Sequence, residues 1–436
     1  MAYGGGTFLT QNKVLGGAYI NFVSKNVASA QLKDRGVVAM GFTLDWGKDG
    51  EIFEIFEDDL IKNSMELFGY EYSSDKLRGI RDIFLNANKL YAYKLNAGGV
   101  KASNTFATAK YTGVAGNNLK VVISKNVDVS NSFDVALYYK TQLVDLQTVA
   151  KASELKNNAW VDWTTSAMLA VNSGLALSNG TNGTAETSSH QKFINKLESY
   201  PDVNAVGYAG EEEEIKTLYV AWVKNQREKV GVKLQAVVHN CSKADYEGVV
   251  NIKNDVVGGD TKADLVYWAL GVIGGTPVNK SATNKKYDGN FNVNADFTQS
   301  QLEKCLQAGE WVIHRTGNDL RVLDDINSLV TVNPEKGEIF KDNQTVRVID
   351  QIAMVVASTF CTKYLGQVPN DSDGRLSLWA DICKVHSELQ NIRAIENFKP
   401  EHISVKQGDT KKSVVIDETI TVINAMTHLY MTVVVG

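Results

Sequence analysis

The chain has 436 residues, of which 44% are hydrophobic and 22% are charged, and its formal net charge is −5 at pH 7. This length allows roughly two to four domains with a large core, and the mild acidity gives no reason to expect a nucleic-acid partner. The 4 cysteines lie far apart and form no CxxC pair, which indicates buried, reduced thiols and not a disulfide framework.

The sequence also indicates a soluble protein made in a cytoplasm. The first residues lack the basic region and apolar core of a signal peptide. The longest apolar stretches, near residues 265–273 and 349–357, are too short on their own to span a bilayer. We therefore expect no direct membrane insertion.

The first predicted segment, residues 1–23, is an N-terminal arm that ends in a strand. It is polar and rich in glycine through Lys13, which is typical of a flexible terminus. The run that follows opens with a glycine turn and then alternates with the period of a β-strand. The strand-forming residues of this run are Val14, Ala18, Tyr19, Ile20 and Phe22.

Residues 24–95 are predicted to form a small α/β unit. The runs Gly36–Thr43 and Lys89–Leu95 carry the β-branched and aromatic residues of strands. Between them, Ser73–Leu77 is typical of a helix start with a serine cap, and Leu77, Ile80, Ile83 and Phe84 fall on one face of that helix. The order strand, helix, strand favours an α/β arrangement.

Residues 96–180 are predicted to form an inserted β-sandwich, because several short strands are separated by turn signals. The predicted strands are Thr105–Lys110, Leu119–Lys125, Phe133–Tyr139 and Leu143–Val149. The polar, low-complexity stretch Ser178–Ser189 then reads as a linker.

Helices and strands alternate through residues 190–335, which indicates an α/β core domain. The predicted helices are His190–Tyr200, Glu211–Lys229, Ala263–Val272 and Gln299–Gln307, and the predicted strands are Val203–Tyr208, Lys233–His239 and Gly248–Ile252. A hairpin formed by Trp311–Arg315 and Leu320–Leu323 follows.

The C-terminal domain, residues 336–423, is predicted to hold two long helices and then strands. The helices are about Asn343–Leu365 and Gly374–Asn391, and the strands are His402–Lys406 and the β-rich run Ser413–Ile423.

The chain ends in a C-terminal arm, residues 424–436, with a second β-rich run. In this run Leu429, Met431, Val433 and Val435 alternate with Tyr430, Thr432 and Val434. An uncharged, valine-rich strand without proline is an aggregation hazard if it stays exposed. It must therefore pair, either within the protein's own sheet or as a strand donated to a neighbouring chain by β-augmentation.

The sequence shows no catalytic, metal or cofactor site. It has no GxxxxGK[ST] loop and no GxSxG elbow, and the glycines at 271–275 follow a predicted helix, so we interpret them as a helix end and turn. Cys383 and His386 share a helix face, but two metal ligands without two more nearby are a weak signal. His239 and Cys241 can face the same side of a strand, yet nothing supplies an oxyanion hole.

Five segments, in the same order along the chain, resemble a known family. They are Gly5–Phe22, Tyr111–Ile123, Trp268–Thr283, Val322–Leu329 together with Arg347–Asp350, and Leu429–Val435. The third contains Gly-Thr-Pro-Val-Asn-Lys-Ser-Ala-Thr and resembles a segment of the Gram-positive branch of the contractile tail sheath family. That family occurs in phage tails, R-type bacteriocins and related injection devices. Many members have Pro-Gly where this chain has Gly16-Gly17.

The resemblance implies a structural subunit whose fold is a mixed α/β and α+β multidomain one, with α/β core layers, the inserted β-sandwich facing outward, and terminal arms that donate strands to neighbouring subunits. The residues implied in strand exchange are Val14, Ala18, Tyr19, Ile20 and Phe22 of the N-terminal arm and Leu429, Tyr430, Met431, Thr432, Val433, Val434 and Val435 of the C-terminal arm. The segments Ala2–Lys13 and Asn424–Thr427 would act as hinges.

The resemblance also implies how the protein works and with which partners. Subunits would assemble as a helical homo-oligomer around an inner tail tube protein and contract to drive that tube through a target envelope. Baseplate and tail terminator proteins would be the other partners, with no enzymatic activity, cofactor or nucleic acid involved. Assembly would occur in the bacterial host cytoplasm, giving a virion tail or a released bacteriocin particle. A helix of the C-terminal domain would face the tube, with Arg375 and Lys384 as candidate contacts.

Two alternatives from other classes remain open at this point. An α/β hydrolase-like enzyme would need a nucleophile, a base and an oxyanion donor in one pocket. A monomeric β-sandwich binding protein would have both termini folded back on its own body.

Overall fold

The computed structural model describes residues 35–435. This part of the chain divides into two compact units. The larger holds residues 35–354, 386–398 and 420–435, and the smaller holds residues 355–385 and 399–419.

The strands, in chain order, are β1 (Val37–Phe42), β2 (Ile52–Phe56), β3 (Lys89–Lys94), β4 (Ala107–Ala109), β5 (Leu119–Lys125), β6 (Phe133–Tyr139), β7 (Gln142–Val149), β8 (Val161–Trp163), β9 (Asn172–Ala176), β10 (Ala205–Tyr208), β11 (Gln235–His239), β12 (Val249–Ile252), β13 (Val256–Val257), β14 (Asn292–Val293), β15 (Glu310–Trp311), β16 (Ile313–Thr316), β17 (Asp319–Val322), β18 (Ile395–Glu396), β19 (Ile403–Gln407), β20 (Val414–Glu418) and β21 (Thr421–Val422).

The helices are α1 (Glu57–Phe68), α2 (Arg78–Phe84), α3 (Thr187–Leu197), α4 (Glu213–Asn225), α5 (Leu265–Gly275), α6 (Gln299–Gln307), α7 (Asn343–Thr359) and α8 (Ser372–Asn391). Short π-helical segments, Gln226–Val230 and Phe360–Tyr364, continue α4 and α7.

The larger unit is built on a seven-stranded sheet with the order β15-β12-β11-β10-β1-β3-β2. All pairs are parallel except β2 with β3, which is antiparallel. Because strand residues alternate between faces, Val38 and Met40 of β1 pack with α5, whereas Ala39 packs with α3 and α4. Helices therefore cover both faces, as a parallel sheet requires.

The β-sandwich has its own core. Strands β7-β6-β5-β9 form one antiparallel sheet and β4-β8 a second, smaller one. The four predicted strands are present as β4 to β7, and β8 and β9 are additional. Trp46 comes from outside this region, is fully buried in its core, and lies 5.8 Å from the Trp160 ring. The resulting fold is a mixed α/β multidomain one with an inserted β-sandwich.

The polar stretch Ser178–Ser189 is fastened at its centre, unlike a free linker. Asn182 accepts a hydrogen bond from the Val114 N–H (3.0 Å) and donates one to the Asp45 carboxylate (2.6 Å). A Cβ at Gly183 would lie 2.0 Å from the carbonyl oxygen of Ala97, which leaves room for glycine alone. This stretch leads from the β-sandwich to the α/β core, and its glycines and small polar side chains suit such close backbone contacts.

Two buried ion pairs attach the start of α7 to the rest of the larger unit. Arg227 donates from both terminal nitrogens to Asp350, at 2.7 Å each, and both side chains are less than a tenth exposed. Arg347 pairs with Asp325, and both side chains are almost fully buried. Buried charges of this kind are tolerated when their geometry is good and both partners are present, so this end of α7 is rigidly held.

One helix in the described range, Asn343–Tyr364 counted through its π-helical end, has the length and hydropathy of a membrane span. The sequence suggested only the apolar stretch 349–357, which is too short to span a bilayer, but the helix that contains this stretch is 22 residues long. Because Arg347 and Asp350 form buried ion pairs on this helix, we interpret it as a helix of the protein core.

Glycine in α5 allows close packing against α2 and the loop after it. A Cβ at Gly271 would lie 2.3 Å from the carbonyl oxygen of Ile83, and one at Gly275 would lie 1.8 Å from that of Asn86. We expect Gly271→Ala to lower the free energy of unfolding by about 2 kcal/mol or more, because a backbone atom cannot yield easily. Gly337 has open space around its Cβ position, so Gly337→Ala is the control and should change stability by less than about 0.5 kcal/mol. Equal melting temperatures for the two variants would contradict this packing.

Asp342 gives the fold a pH dependence. Its Oδ1 accepts a hydrogen bond from the Thr345 N–H (2.9 Å) in the first turn of α7. Burial raises the pKa of Asp342 to about 6, and the nearby Asp325 carboxylate acts in the same direction. Since the pKa is higher in the folded chain, this group stabilises the fold below about pH 4, and that stabilisation is lost as the pH rises through 6.

We therefore expect Asp342→Asn, which keeps a helix-capping oxygen, to remove this dependence. Relative to the unchanged chain, the variant should gain up to about 3 kcal/mol of stability between about pH 4 and pH 7. Thermal unfolding of both proteins at a series of pH values measures the difference. A stability difference that stays constant with pH would contradict the assignment.

Candidate assembly interface

The first turn of α7 holds the beginning of the C-terminal arm. Gln344 donates to the carbonyl oxygen of Ile423 and accepts from the Ala425 N–H, both at 3.0 Å. Asn424 donates to the Thr345 hydroxyl, also at 3.0 Å. Gln344 and Thr345 are buried, so these contacts form a clamp that fixes the point from which the arm leaves.

The clamp corrects the predicted hinge at Asn424–Thr427. Asn424 and Ala425 are hydrogen-bonded to buried side chains, whereas Met426 is fully exposed. Any hinge therefore begins at Met426. The sequence did not indicate this because Gln344 and Thr345 lie 79 or more positions away along the chain.

Beyond the clamp, the apolar run of the arm is uncovered. Leu429, Tyr430, Val434 and Val435 are each 86 to 92% exposed, and Met431 is 75% exposed. An apolar run of this kind left in water marks an interaction site or an aggregation hazard. The arm is therefore the strongest candidate interface on the described chain.

The predicted strand over Leu429–Val435 is not formed in this single chain. These residues have no regular secondary structure and no hydrogen bond to any other residue between 35 and 435. A strand exists only with a partner strand, so the period-two pattern alone does not produce one here. A monomeric binding protein with both termini folded back does not fit this end of the chain. Val14, Ala18, Tyr19, Ile20 and Phe22 lie outside the described residues.

The hairpin β19–β20 of the smaller unit is a candidate acceptor for a strand. Its two strands pair from Ile403 with Glu418 to Gln407 with Val414, and within the described residues neither strand pairs with a third. One face carries the apolar residues Ile403, Val405, Val414 and Ile416, with Gln407 and Glu418 at its two ends. The other face carries the Lys406–Asp417 ion pair.

The register shows which main-chain groups of the hairpin point outward. The Gly408 N–H donates to the carbonyl oxygen of Ser413, and the Thr419 N–H donates to that of His402. Every second pair of the ladder, counted from these two, is therefore a hydrogen-bonded pair. Because bonded and non-bonded pairs alternate in an antiparallel ladder, the N–H and C=O groups of Val414 and Ile416 face away from β19. The outer edge of β20 can therefore accept an added strand.

The outer edge of β19 is partly covered. The indole N–H of Trp379, on α8, lies 3.1 Å from the carbonyl oxygen of Ile403 and donates to it. The chain at the start of β20 is held in place by Asn370, which donates hydrogen bonds to the carbonyl oxygens of Lys411 and Ser413 at 3.0 and 2.8 Å. These contacts leave the outer main-chain groups of Val414 and Ile416 uncovered. The edge of β20 is thus the better-formed acceptor. The sequence does not indicate these roles of Trp379 and Asn370, because they depend on tertiary contacts.

The two candidate tube contacts lie on different sides of α8. Residues nine positions apart on an α-helix differ by about half a turn, so Arg375 and Lys384 cannot meet one surface together. Arg375 is half-buried and donates to Asn370, which braces β20. Lys384 is exposed on the same stripe of the helix as Leu376 and Ala380.

The residues considered for catalysis have structural roles. His239 lies 3.0 Å from Asp255, and the thiol of Cys241 lies 3.9 Å from the Glu213 carboxylate. Burial raises the pKa of the Cys241 thiol, which disfavours the nucleophilic thiolate. Nothing here supports the hydrolase-like alternative.

Residues 35–435 contain no group of three or more His, Cys, Asp or Glu side chains arranged to hold a metal ion. Cys383 and His386 share α8 as predicted, and burial raises the pKa of the Cys383 thiol, which opposes the thiolate form that a metal ligand requires.

The chain matches three domain families, one after another. Residues 96–182 match the phage tail sheath protein beta-sandwich domain, residues 183–328 the phage tail sheath protein central domain, and residues 335–436 the phage tail sheath C-terminal domain. The boundary between the first two matches, at residues 182 and 183, falls where the β-sandwich ends and the α/β core resumes.

Whole-length relatives agree with these matches. The phage-like element PBSX protein XkdK of Bacillus subtilis (strain 168) is 30% identical over 98% of this chain and 99% of its own length. The crystal structure of the sheath tail protein from Desulfitobacterium hafniense is similar with a TM-score of 0.81 and 31% identity, over 93% of this chain and 96% of that one. The helical sheath of the anti-feeding prophage in its contracted state shares the fold, with a TM-score of 0.58 and 12% identity, over 97% of this chain and 99% of that one. The chain therefore belongs to the phage tail sheath protein family and is a tail sheath subunit.

Proposed function

We propose that this subunit assembles into a helical sheath by donating its C-terminal arm to a neighbouring copy, and that the sheath contracts around an inner tail tube to drive the tube through a target envelope. One observation carries the proposal: Leu429–Val435 is apolar, uncovered and without a hydrogen-bonding partner in the described chain. A second copy of the same chain offers the open edge that this run lacks.

The energy of such a link is substantial. A donated strand makes about five main-chain hydrogen bonds, each worth about 1 kcal/mol net. Burial of the alternating side chains adds to this by about 25 cal/mol for each Å² of apolar surface removed from water. Because the clamp at Gln344 holds the base of the arm, force on the arm passes directly to α7 and its buried ion pairs.

The link is head-to-tail, since the donor and the acceptor are different surfaces of the chain. Repeated head-to-tail contacts that do not close into a ring give a helical array. The N-terminal arm would make a second link through Val14, Ala18, Tyr19, Ile20 and Phe22, so that each subunit is tied to more than one neighbour.

Contraction would be a rigid-body rearrangement of subunits between two lattices, with the arms as flexible ties. The driving free energy would come from the larger subunit contact area of the contracted lattice, without catalysis or a cofactor. Likeness of fold to a sheath in its contracted state supports this reading. Baseplate and tail terminator proteins would bind the two ends of the array. Assembly would occur in the bacterial host cytoplasm, and the product would be a virion tail or a bacteriocin particle.

We expect removal of the C-terminal arm to abolish assembly. A chain that stops after Thr427 should fold with an unchanged melting temperature but form no hollow cylinders in electron micrographs, because the donated strand is gone. Cylinders formed at normal yield by this truncated chain would contradict strand donation.

A proline substitution separates the main-chain bonds from the side chains. Thr432→Pro removes one N–H in the middle of the run and should lower the yield of cylinders sharply, because proline cannot donate to a ladder. His428→Pro, placed before the run, is the matched control and should assemble normally. Sedimentation of the two variants at equal concentration measures the difference. Equal yields would show that the run does not pair through its main chain.

The contact with the inner tube is proposed for the exposed stripe of α8 that includes Lys384. Lys384→Glu should weaken co-assembly of sheath with tube while sheath-only cylinders still form, because a charge is reversed on the surface that meets the tube. Lys151→Glu, at an exposed position of the β-sandwich, is the control for a change of net charge. Co-sedimentation with the tube that is unchanged in Lys384→Glu would reject this face of α8.

A further inference from the structure

A small cavity lies beside the start of β20, within the smaller unit, and its lining combines apolar residues with Asn370, Arg375 and Lys412. Its volume is about 100 Å³, and its apolar walls are Phe360, Tyr364, Val368, Leu378 and Val414. Nothing in the described chain fills it.

The walls of this cavity are held in place. The rings of Phe360 and Tyr364 stack with their planes 10° apart, and the Tyr364 hydroxyl donates to Asp381 at 2.6 Å. On the opposite side, Arg375 donates to Asn370, which in turn donates to the carbonyl oxygen of Ser413. The cavity is therefore preformed and does not depend on a ligand to shape it.

The cavity and the open edge of β20 meet at one residue. Val414 turns its main-chain groups away from β19, as the register requires, and its side chain forms part of the cavity wall. A strand added at this edge would place every second side chain on the same face of the hairpin as Val414 and Ile416. One of those side chains would lie over the cavity.

The C-terminal arm has the matching pattern. Its residues 429, 431, 433 and 435 are Leu, Met, Val and Val, all apolar and without an aromatic ring. The opposite set contains Tyr430, Thr432 and Val434, of which the first two carry hydroxyl groups that suit a face that meets water. Met431 is the second member of the first set, and its unbranched, polarizable side chain fits irregular gaps and aromatic walls such as Phe360 and Tyr364.

We infer that this cavity receives the side chain of Met431 from the C-terminal arm of a second copy, and that it thereby sets the register in which the donated strand pairs with β20. The inference rests on the proposed strand donation. The seated side chain would fix the register, which main-chain hydrogen bonds alone do not. A donated strand could slip by two residues along β20 and keep the same hydrogen-bonding pattern, but it could not do so with Met431 held in the cavity.

A size exchange between the two partners tests this pairing. Val414→Phe should fill the cavity from its wall and lower the yield of sedimented cylinders about tenfold, because Met431 no longer fits. Adding Met431→Ala to the same chain should restore most of the yield, since the smaller side chain leaves room for the ring. Rescue of this kind reports direct contact between two positions.

The matched control is Val415→Phe. Val415 is the next residue on the same strand and is 48% exposed on the opposite face, so this variant should assemble normally. Thermal unfolding of each variant shows that the hairpin still folds. If Val415→Phe lowers the yield as much as Val414→Phe, or if Val433→Ala rescues Val414→Phe and Met431→Ala does not, the assignment of Met431 is overturned.

These outcomes are distinct from a failure of strand donation itself. If the chain that stops after Thr427 assembles normally, then no arm is donated and both proposals fall. If that truncation abolishes cylinders while Val414→Phe has no effect, then the arm is donated but the cavity is not its seat.

Discussion

Main-chain N–H and C=O groups that leave water must find hydrogen-bonding partners, and an apolar strand that stays in water tends to aggregate. In the described chain, the apolar run Leu429–Val435 is exposed to water, and its main-chain groups have no hydrogen-bonding partner in another residue. The same chain presents an unpaired strand edge at β20. Under the proposed strand donation, the arm of one copy would complete the open edge of β20 in a second copy, and assembly would remove both incomplete features.

The base of the C-terminal arm is held by hydrogen bonds, whereas the arm from Met426 onward is exposed, and this arrangement suits such an assembly. The clamp around Gln344 and the buried Arg227–Asp350 and Arg347–Asp325 pairs hold the base of the arm in the larger unit. The acceptor hairpin belongs to the smaller unit, where Asn370 and Trp379 hold its ends. A subunit that must remain tied to its neighbours while it moves needs firm attachment points joined by a short free segment.

Local periodicity was enough to predict much of this fold. The runs at β1, β3, β5, β6 and β11 alternate or are continuously apolar, and α6 coincides with its predicted bounds at Gln299–Gln307. The pattern failed where tertiary contacts decide. The strand β9 is largely exposed and polar, and the stretch Ser178–Ser189 is held by contacts with distant residues such as Val114 and Asp45. The site was predicted in part, because the apolar arm and the strands of the acceptor hairpin are visible in the sequence, whereas the clamp joins Gln344 to Ile423, 79 positions away along the chain.

Amide hydrogen exchange of the C-terminal arm, measured in assembled cylinders and in unassembled subunits, tests strand donation most directly. Amides that pair with a neighbour's β20 should exchange much more slowly in cylinders, and those of Leu429–Val435 should exchange at the rate of an unstructured peptide in free subunits. Equally fast exchange of these amides in both forms would show that the arm stays unpaired in the sheath, and strand donation would then be rejected.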